Sequence, residues 1–139
     1  MSGTSILIDH YRQPRLRGTA ARPDLRREIH NRKCGDRITL TAQLEADRLM
    51  DIRFEGEGCM YCLASASILC SSLNGKSAAE ARRQIALFRS WIRDRQPPNG
   101  EQSAGLTEEM RALGEVKAFP MRIDCADLAW KCAADMLDV

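Results

Sequence analysis

Hydrophobic and polar residues alternate along two neighbouring stretches of the chain. Every second residue is apolar from Ile38 to Leu44, and the same alternation returns from Met50 to Phe54 after the break at Ala46-Asp47. A period of two is typical of strands with one buried face. The two stretches therefore predict an antiparallel hairpin, and a weaker strand pattern precedes it near Leu25 to Ile29.

Other stretches repeat apolar residues every three or four positions, which is typical of helices with one buried face. Asn74-Gly75 is expected to end the first helix after the hairpin, and Ser77 with Glu80 forms a capping box for the next. Asp124 is expected to cap the last helix, which follows an extended segment from Phe119 to Ile123. The predicted helices are Thr4 to Tyr11, Cys59 to Leu73, Ser77 to about Arg95, a short helix around Leu106 to Leu113, and Ala126 to Leu137.

These elements define the expected fold class. They predict an α+β fold in which a small three-stranded antiparallel sheet packs against several α-helices. The 139 residues are enough for one ordinary domain, and the breaker from Gln96 to Ser103 is too short to link two domains. We therefore expect a single domain over residues 1–139.

Composition and charge exclude several classes of function. The chain has 21 basic and 19 acidic residues, and the basic residues do not form a pattern with aromatic ones that would indicate a nucleic-acid surface. No apolar stretch approaches the roughly 20 residues of a membrane span, and Met1 to Tyr11 does not resemble a signal peptide. We expect a cytoplasmic protein that binds neither nucleic acid nor membrane. The basic segment Arg12 to Arg37 is interpreted as a solvated, partly mobile arm, with a docking patch for an acidic partner as the alternative.

Three cysteines occur where a strand or helix is expected to begin. Cys34 precedes Asp36 before the hairpin, Cys59 follows Gly56-Glu57-Gly58 after it, and Cys125 opens the last helix. Antiparallel pairing brings the two ends of the hairpin together, and a helix N-terminus stabilises the thiolate that binds metal or attacks sulfur. Because six cysteines in a reducing compartment are not expected to form three disulfides, a metal or sulfur-transfer site is favoured.

The remaining cysteines and the histidines have weaker patterns. Cys70 and Cys132 fall on apolar helix faces, so packing is favoured for both. Cys62 shares such a face but lies one turn after the helix start, a spacing that also suits a shared metal or a dithiol. Both roles of Cys62 stay open. His10 and His30 have no matching ligand spacing and are assigned structural or surface roles.

Taken together, the motifs resemble a known family, the U-type iron–sulfur cluster assembly proteins, and within it the SufU branch rather than the IscU branch. IscU proteins carry a histidine where Asp124 stands and a chaperone-binding Leu-Pro-Pro-Val-Lys segment where this chain has Phe119-Pro120-Met121. The long segment between Cys59 and Cys125 is similar to the insertion of SufU proteins. The resemblance covers nearly the whole chain and rests on Asp9-His10-Tyr11 with Pro14-Arg15 and Gly18, Cys34-Gly35-Asp36, Gly56-Glu57-Gly58-Cys59 with Ala64-Ser65-Ala66-Ser67, and Arg122 to Trp130.

The resemblance implies both a site and a function. Cys34, Cys59 and Cys125 would hold a transient iron–sulfur cluster or, together with Asp36, a zinc ion, for which sulfur and oxygen ligands in a tetrahedron are suitable. Arg122 would lie beside the site. The implied function is a scaffold for iron–sulfur cluster assembly that accepts sulfur from a cysteine desulfurase and serves iron–sulfur acceptor proteins. The alternatives are a zinc-dependent sulfurtransferase that passes persulfide sulfur to another scaffold, and a structural zinc-binding interaction module.

Two departures from SufU proteins bear on the ligand set. Cys62 stands where serine is usual, and the acidic Asp124 stands where a basic residue is usual. Each is therefore a candidate additional ligand.

Cys125 is predicted as the first sulfur acceptor, because an acceptor must reach the persulfide of the desulfurase. Cys59 is expected to be anchored by its helix, and Cys34 by the strand that follows. The segment from Phe119 to Asp124 is expected to be extended, and its Pro120 cannot donate to a sheet. Cys125 would then have the most mobile support.

Overall fold

The structure is a computed structural model, and it describes residues 2–94 and 104–139. One helix precedes three strands, and the other helices follow. Within these residues, none of the helices has the length and apolarity that crossing a membrane requires. The predicted breaker from Gln96 to Ser103 lies outside the described residues. The bounds are α1 Gly3–Arg12, β1 Leu25–Asn31, β2 Asp36–Glu45, β3 Arg48–Glu57, α2 Met60–Leu73, α3 Ala78–Arg93, α4 Glu108–Ala112 and α5 Ile123–Leu137, with 3₁₀ helices at Leu113–Ala118 and Pro120–Arg122.

The sheet is antiparallel in the order β1-β2-β3, which confirms the predicted hairpin, the weaker strand before it and the α+β class. At one end Glu45 pairs with Arg48 across Ala46-Asp47, both of which have positive φ as a type I′ turn requires. At the other end Asn31 pairs with Asp36, beside the end of β3. The β1–β2 turn and the start of α2 therefore lie at the same end of the sheet.

Contacts between α2, α3 and α5 fix the helical layer. Trp130 of α5 stacks on Phe88 of α3 with ring centroids 4.2 Å apart, and its indole N–H donates to Ser65 Oγ of α2 at 3.0 Å. The Ser65 hydroxyl in turn donates to the carbonyl of Ala126 at 2.6 Å. Because buried polar groups are costly unless they are paired, this chain of bonds holds the first turns of α5 against α2.

The basic segment before the sheet is packed along β3 and is not a free arm over its whole length. Gly18 N–H donates to the Phe54 carbonyl at 2.8 Å, and Phe54 N–H donates to the Leu16 carbonyl at 3.1 Å. The guanidinium of Arg17 also donates to the Gly56 carbonyl at 3.1 Å. The expectation of a mobile arm is therefore wrong for this part of the segment, because its backbone groups pair with a strand edge.

The approach to the last helix differs from the prediction. The segment expected to be extended forms a 3₁₀ helix at Pro120–Arg122, and α5 begins directly after it at Ile123. Proline suits the first position of a helical turn because its missing N–H would have no helical partner there. Asp124 lies inside α5 and is not its N-cap. Its carboxylate instead accepts a hydrogen bond from Arg93 at 3.1 Å.

Candidate metal and sulfur-transfer site

The hairpin register brings the first two cysteine motifs together, as the sequence predicted. Asp36 is the first residue of β2, and Cys59 directly precedes α2. The backbone N–H of Cys59 donates to Asp36 Oδ1 at 3.2 Å. A hydrogen bond between two of the predicted ligand residues therefore joins the end of the sheet to the start of α2.

Cys34 lies on the turn between β1 and β2, and its side chain is exposed. The N–H groups of Cys34 and Gly35 donate to the Asn31 carbonyl at 3.3 and 2.9 Å. Gly35 has φ of +71°, a conformation that glycine adopts without steric cost. The turn thus holds its backbone on the sheet, while Cys34 itself remains exposed to solvent.

Cys125 reaches the same place from the first turn of α5, where it is fully buried. Ligand atoms of Cys34, Asp36 and Cys125 all lie within 4.8 Å of one another, a grouping that could hold a metal ion. Cys59 is beside this group through its backbone bond to Asp36, but its sulfur is not part of the 4.8 Å cluster. Three of the four expected metal ligands are thus brought together, with the fourth adjacent.

One oxygen of Asp36 indicates what the group could bind. Asp36 is 1% exposed, and its Oδ2 is buried with no hydrogen-bond partner among residues 2–94 and 104–139. A buried carboxylate oxygen without a partner is costly. Sulfur from cysteine and oxygen from carboxylate are both ligands of zinc, so the donor set and the unpaired oxygen fit a zinc ion.

The charges around the site act on its thiols and on Arg122. Burial raises the pKa of the Cys125 thiol, and the neighbouring Asp36 carboxylate raises it further. Interaction with Cys125 and Cys59 raises the pKa of Arg122, whose side chain is exposed at the rim. Arg122 is therefore a cation beside sulfur atoms that carry negative charge when they act as ligands or nucleophiles.

Gly58 allows the close approach of the elements beneath the site. A Cβ at this position would lie 2.6 Å from Asp36 Oδ1 and 3.0 Å from Cys62 Sγ. Both distances are too short for ordinary contacts. The glycine is therefore needed for packing as well as for bending the chain, and Cys62 is placed directly under the site.

The other candidate residues lie elsewhere. Asp124 accepts a hydrogen bond from Arg93 and is not part of the Cys34–Asp36–Cys125 group. Cys70 and Cys132 are buried in the core, and the Cys132 thiol donates to the Arg27 carbonyl at 3.4 Å. These contacts agree with the packing roles expected for the two cysteines.

The histidines are also accounted for by contacts outside the site. His10 is buried and forms hydrogen bonds with Ser67 Oγ at 2.7 Å and with Glu109. His30 lies on the exposed face of β1, with its ring 3.1 Å from Glu28. Their structural and surface assignments agree with these positions.

An apolar groove next to the site was missed in the sequence. It has a volume of about 480 Å³ and is lined by Tyr61 of α2 and by the segment from Ala118 to Arg122. Met121 is 85% exposed and Phe119 is 53% exposed. The unusual Phe119-Pro120-Met121 sequence was the available signal, but an extended conformation gave no reason to expect its side chains on one surface.

Comparison with known proteins agrees with this architecture. The chain matches the family described as the NifU-like N terminal domain over residues 3–126. It belongs to that family, which confirms the resemblance predicted from the sequence.

Individual relatives carry two kinds of name. The chain is 36% identical over 126 residues to the zinc-dependent sulfurtransferase SufU of Bacillus subtilis, covering 91% of this chain and 82% of that protein. It is 30% identical over 133 residues to the iron–sulfur cluster assembly scaffold protein IscU of Streptococcus pyogenes, covering 96% and 80%. The crystal structure of FiSufU from Fervidobacterium islandicum AW-1 matches with a TM-score of 0.84 and 25% identity, over 95% of this chain and 93% of that one.

Proposed function

We propose that this protein acts in iron–sulfur cluster assembly, where it accepts sulfur from a cysteine desulfurase and serves as a scaffold for the cluster. The observation that carries the proposal is the gathering of Cys34, Asp36 and Cys125 within 4.8 Å, with one of the thiols exposed. Relatives named as a sulfurtransferase and as a scaffold support both parts of it.

We also propose that zinc is the resident metal and that Cys34, Asp36, Cys59 and Cys125 hold it. The unpaired Oδ2 of Asp36 supports this assignment because a cation would compensate for its burial. When bound, zinc would keep its cysteine ligands as thiolates. The residues come from three parts of the chain, so they would also tie the β1–β2 turn to the starts of α2 and α5.

Sulfur acceptance requires a thiolate that attacks the outer sulfur of the desulfurase persulfide. A new S–S bond forms to that sulfur, the S–S bond within the desulfurase breaks, and its electron pair leaves on the desulfurase cysteine as a thiolate. Exposure of Cys34 and burial of Cys125 favour Cys34 as the first acceptor. Cys125 stays the alternative predicted from the sequence, although the extended support expected for it is a helical turn.

The desulfurase would be positioned by the apolar groove beside the site. An exposed apolar surface of this kind is typical of protein interaction sites. Replacing Met121 by Ala should weaken desulfurase binding, measured by titration calorimetry, without loss of zinc. Leu44→Ala is the matched control, because Leu44 is also an exposed apolar residue, 40% exposed, but lies at the opposite end of the sheet.

Mass spectrometry after reaction with a desulfurase and cysteine tests sulfur acceptance. We expect persulfide on Cys34 and its loss in Cys34→Ser, whereas Cys70→Ser should behave like the parent. Persulfide that forms on Cys125 of the parent and persists there in Cys34→Ser would make Cys125 the first acceptor. Absence of persulfide from all cysteines, with the desulfurase active, would contradict the proposed function.

A transfer role without cluster assembly is the second candidate, favoured by a donor set that fits zinc and includes a carboxylate. The two roles differ in what remains on the protein after reaction with desulfurase, cysteine and ferrous iron without oxygen. A scaffold should gain the visible absorption of an iron–sulfur cluster. A sulfurtransferase should keep its zinc and pass persulfide to a separate scaffold.

A further inference from the structure

Cys62 is a buried thiol that neither the family comparison nor the expected zinc ligands explain. It lies in the first turn of α2 and is fully buried. Its sulfur and Asp36 Oδ1 both lie within 3.0 Å of the point where a Cβ of residue 58 would be. Cys62 therefore lies next to the carboxylate of the site, although its sulfur, like that of Cys59, is outside the group of ligand atoms within 4.8 Å of one another.

The unpaired oxygen of Asp36 is an independent indication that this volume binds a ligand. Asp36 is 1% exposed, and its Oδ2 lacks a hydrogen-bond partner in the part of the chain that the structure describes. The other oxygen of this carboxylate, Oδ1, and the Cys62 sulfur both lie within 3.0 Å of one point beside Gly58, so a cation bound at Asp36 would have Cys62 as a neighbour. Thiolate sulfur is a strong ligand for such a cation.

Cys70 shows what an ordinary buried cysteine of the same helix looks like. Both side chains are fully buried in α2. Burial raises the pKa of both thiols, but the charged neighbours that act on Cys62 are Asp36, Cys59 and Cys34, whereas Cys70 is close to Cys132. Packing therefore accounts for the surroundings of Cys70, while Cys62 has three of the expected metal ligands among its neighbours.

We propose that Cys62 is a reserve sulfur ligand of the metal site. The site then has five donors for the four positions of tetrahedral zinc, so Asp36, Cys59, Cys62 and Cys125 can hold the ion while Cys34 is free to react. This inference rests on the proposed function, because it requires that the site holds zinc.

The exchange changes ligands without changing any oxidation state. Cys62 would lose its thiol proton to solvent and form one sulfur–metal bond. Cys34 would lose its sulfur–metal bond and keep the electron pair as a free thiolate. The exposed thiolate is then the nucleophile for persulfide sulfur.

Zinc analysis of full-length variants tests the proposal. We compare the parent, Cys34→Ser, Cys34→Ser with Cys62→Ser, and Cys34→Ser with Cys70→Ser as the matched buried-cysteine control. After dialysis against a chelator, the parent, Cys34→Ser and the control should keep about one zinc per chain. The variant without both Cys34 and Cys62 should lose most of it, and circular dichroism checks that each variant is folded.

Cobalt in place of zinc gives a second measurement that does not depend on activity. The thiolate-to-cobalt absorption should be as strong in Cys34→Ser as in the parent, because Cys62 replaces the lost sulfur. When Cys62 is also replaced, one of three thiolate ligands is lost, so the absorption at saturating cobalt should fall by about one third. If the double variant does not fold, faster zinc release from Cys62→Ser than from Cys70→Ser tests the same point.

The outcomes separate this inference from the proposed function. Equal zinc content and equal cobalt spectra in Cys34→Ser with and without Cys62 would overturn the role of Cys62 alone. Zinc loss from Cys34→Ser itself would also overturn it. A parent protein that binds no zinc would instead overturn the proposed metal site, and with it the reserve ligand.

Discussion

Two buried aspartates of this protein differ in how their charges are compensated. Asp36 and Asp127 are each 1% exposed. Asp127 accepts hydrogen bonds from Arg89 at 3.1 Å and from Arg93 at 2.8 Å. Asp36 accepts one backbone N–H from Cys59, and its second oxygen is unpaired within the described residues.

The difference indicates that Asp127 has a structural role and that Asp36 has a role in the site. The charge of a buried carboxylate paired with arginines is already compensated, and removing the carboxylate leaves the arginines without their partner. A buried carboxylate with an unpaired oxygen beside two cysteines is incomplete without a further cation. Substitutions at the two positions should therefore have opposite effects in metal-free protein.

The largest effect on stability is expected for Asp127→Asn. The change leaves Arg89 and Arg93 without their shared anion, so the free energy of unfolding should fall by about 3 kcal/mol. This value is at the lower end of the range for broken buried ion pairs, because both arginines are partly exposed. Denaturant unfolding of zinc-free protein measures the change. Zinc content should be unaffected, and loss of zinc from a folded variant would contradict the separation of the two aspartates.

Asp36→Asn should have the opposite sign. In zinc-free protein the free energy of unfolding should rise by about 1 kcal/mol, because a neutral amide is less costly to bury unpaired than a carboxylate. Asp24→Asn is the control, since Asp24 accepts a hydrogen bond from Leu44 N–H at the other end of the sheet. Destabilisation of zinc-free Asp36→Asn would show that the carboxylate is structural.

Core cysteines should give a smaller effect and no change in metal. Cys70→Ala and Cys132→Ala should each lower the free energy of unfolding by roughly 1 kcal/mol, as expected for small cavities. Zinc content should match that of the parent. A variant that unfolds at the parent's denaturant concentration but binds less zinc would move that cysteine into the site.

The smallest effect concerns the pH dependence due to His10, a buried group whose two ring nitrogens both have partners. Burial lowers the pKa of His10, so the folded protein binds this proton less readily than the unfolded chain does. Stability should be full above the unfolded pKa of about 6.5 and decrease as pH falls from there towards the lower folded pKa. Denaturant midpoints measured across this range should vary less in His10→Gln. His30→Gln should keep the parent's profile because His30 is exposed.

Local patterns in the sequence were enough to predict the sheet and the meeting of two cysteine motifs. Alternation fixed the hairpin, and a hairpin brings the residues before and after it together whatever their chemistry. The start of α2 followed from the glycines that precede Cys59. The prediction worked because every step depended on neighbours along the chain.

The parts that could not be predicted depend on contacts between distant residues. No residue close to Asp127 in the sequence indicates that Arg89 and Arg93 of another helix will form ion pairs with it. Pro120 suits both an extended segment and the first position of a helical turn, and the folded protein has the second. Cys62 and Cys70 share one helix face in the sequence, and only their neighbours in space distinguish them.

The β1–β2 turn also sets the distance over which sulfur can be delivered. Asn31 and Asp36 are held in the sheet as a pair, and Cys34 is only two residues from the nearer of them. Two residues of fully extended chain span about 7 Å. The Cys34 sulfur can therefore move only a short distance from the end of the sheet. Any sulfur donor or recipient must place its own reactive atom close to that end.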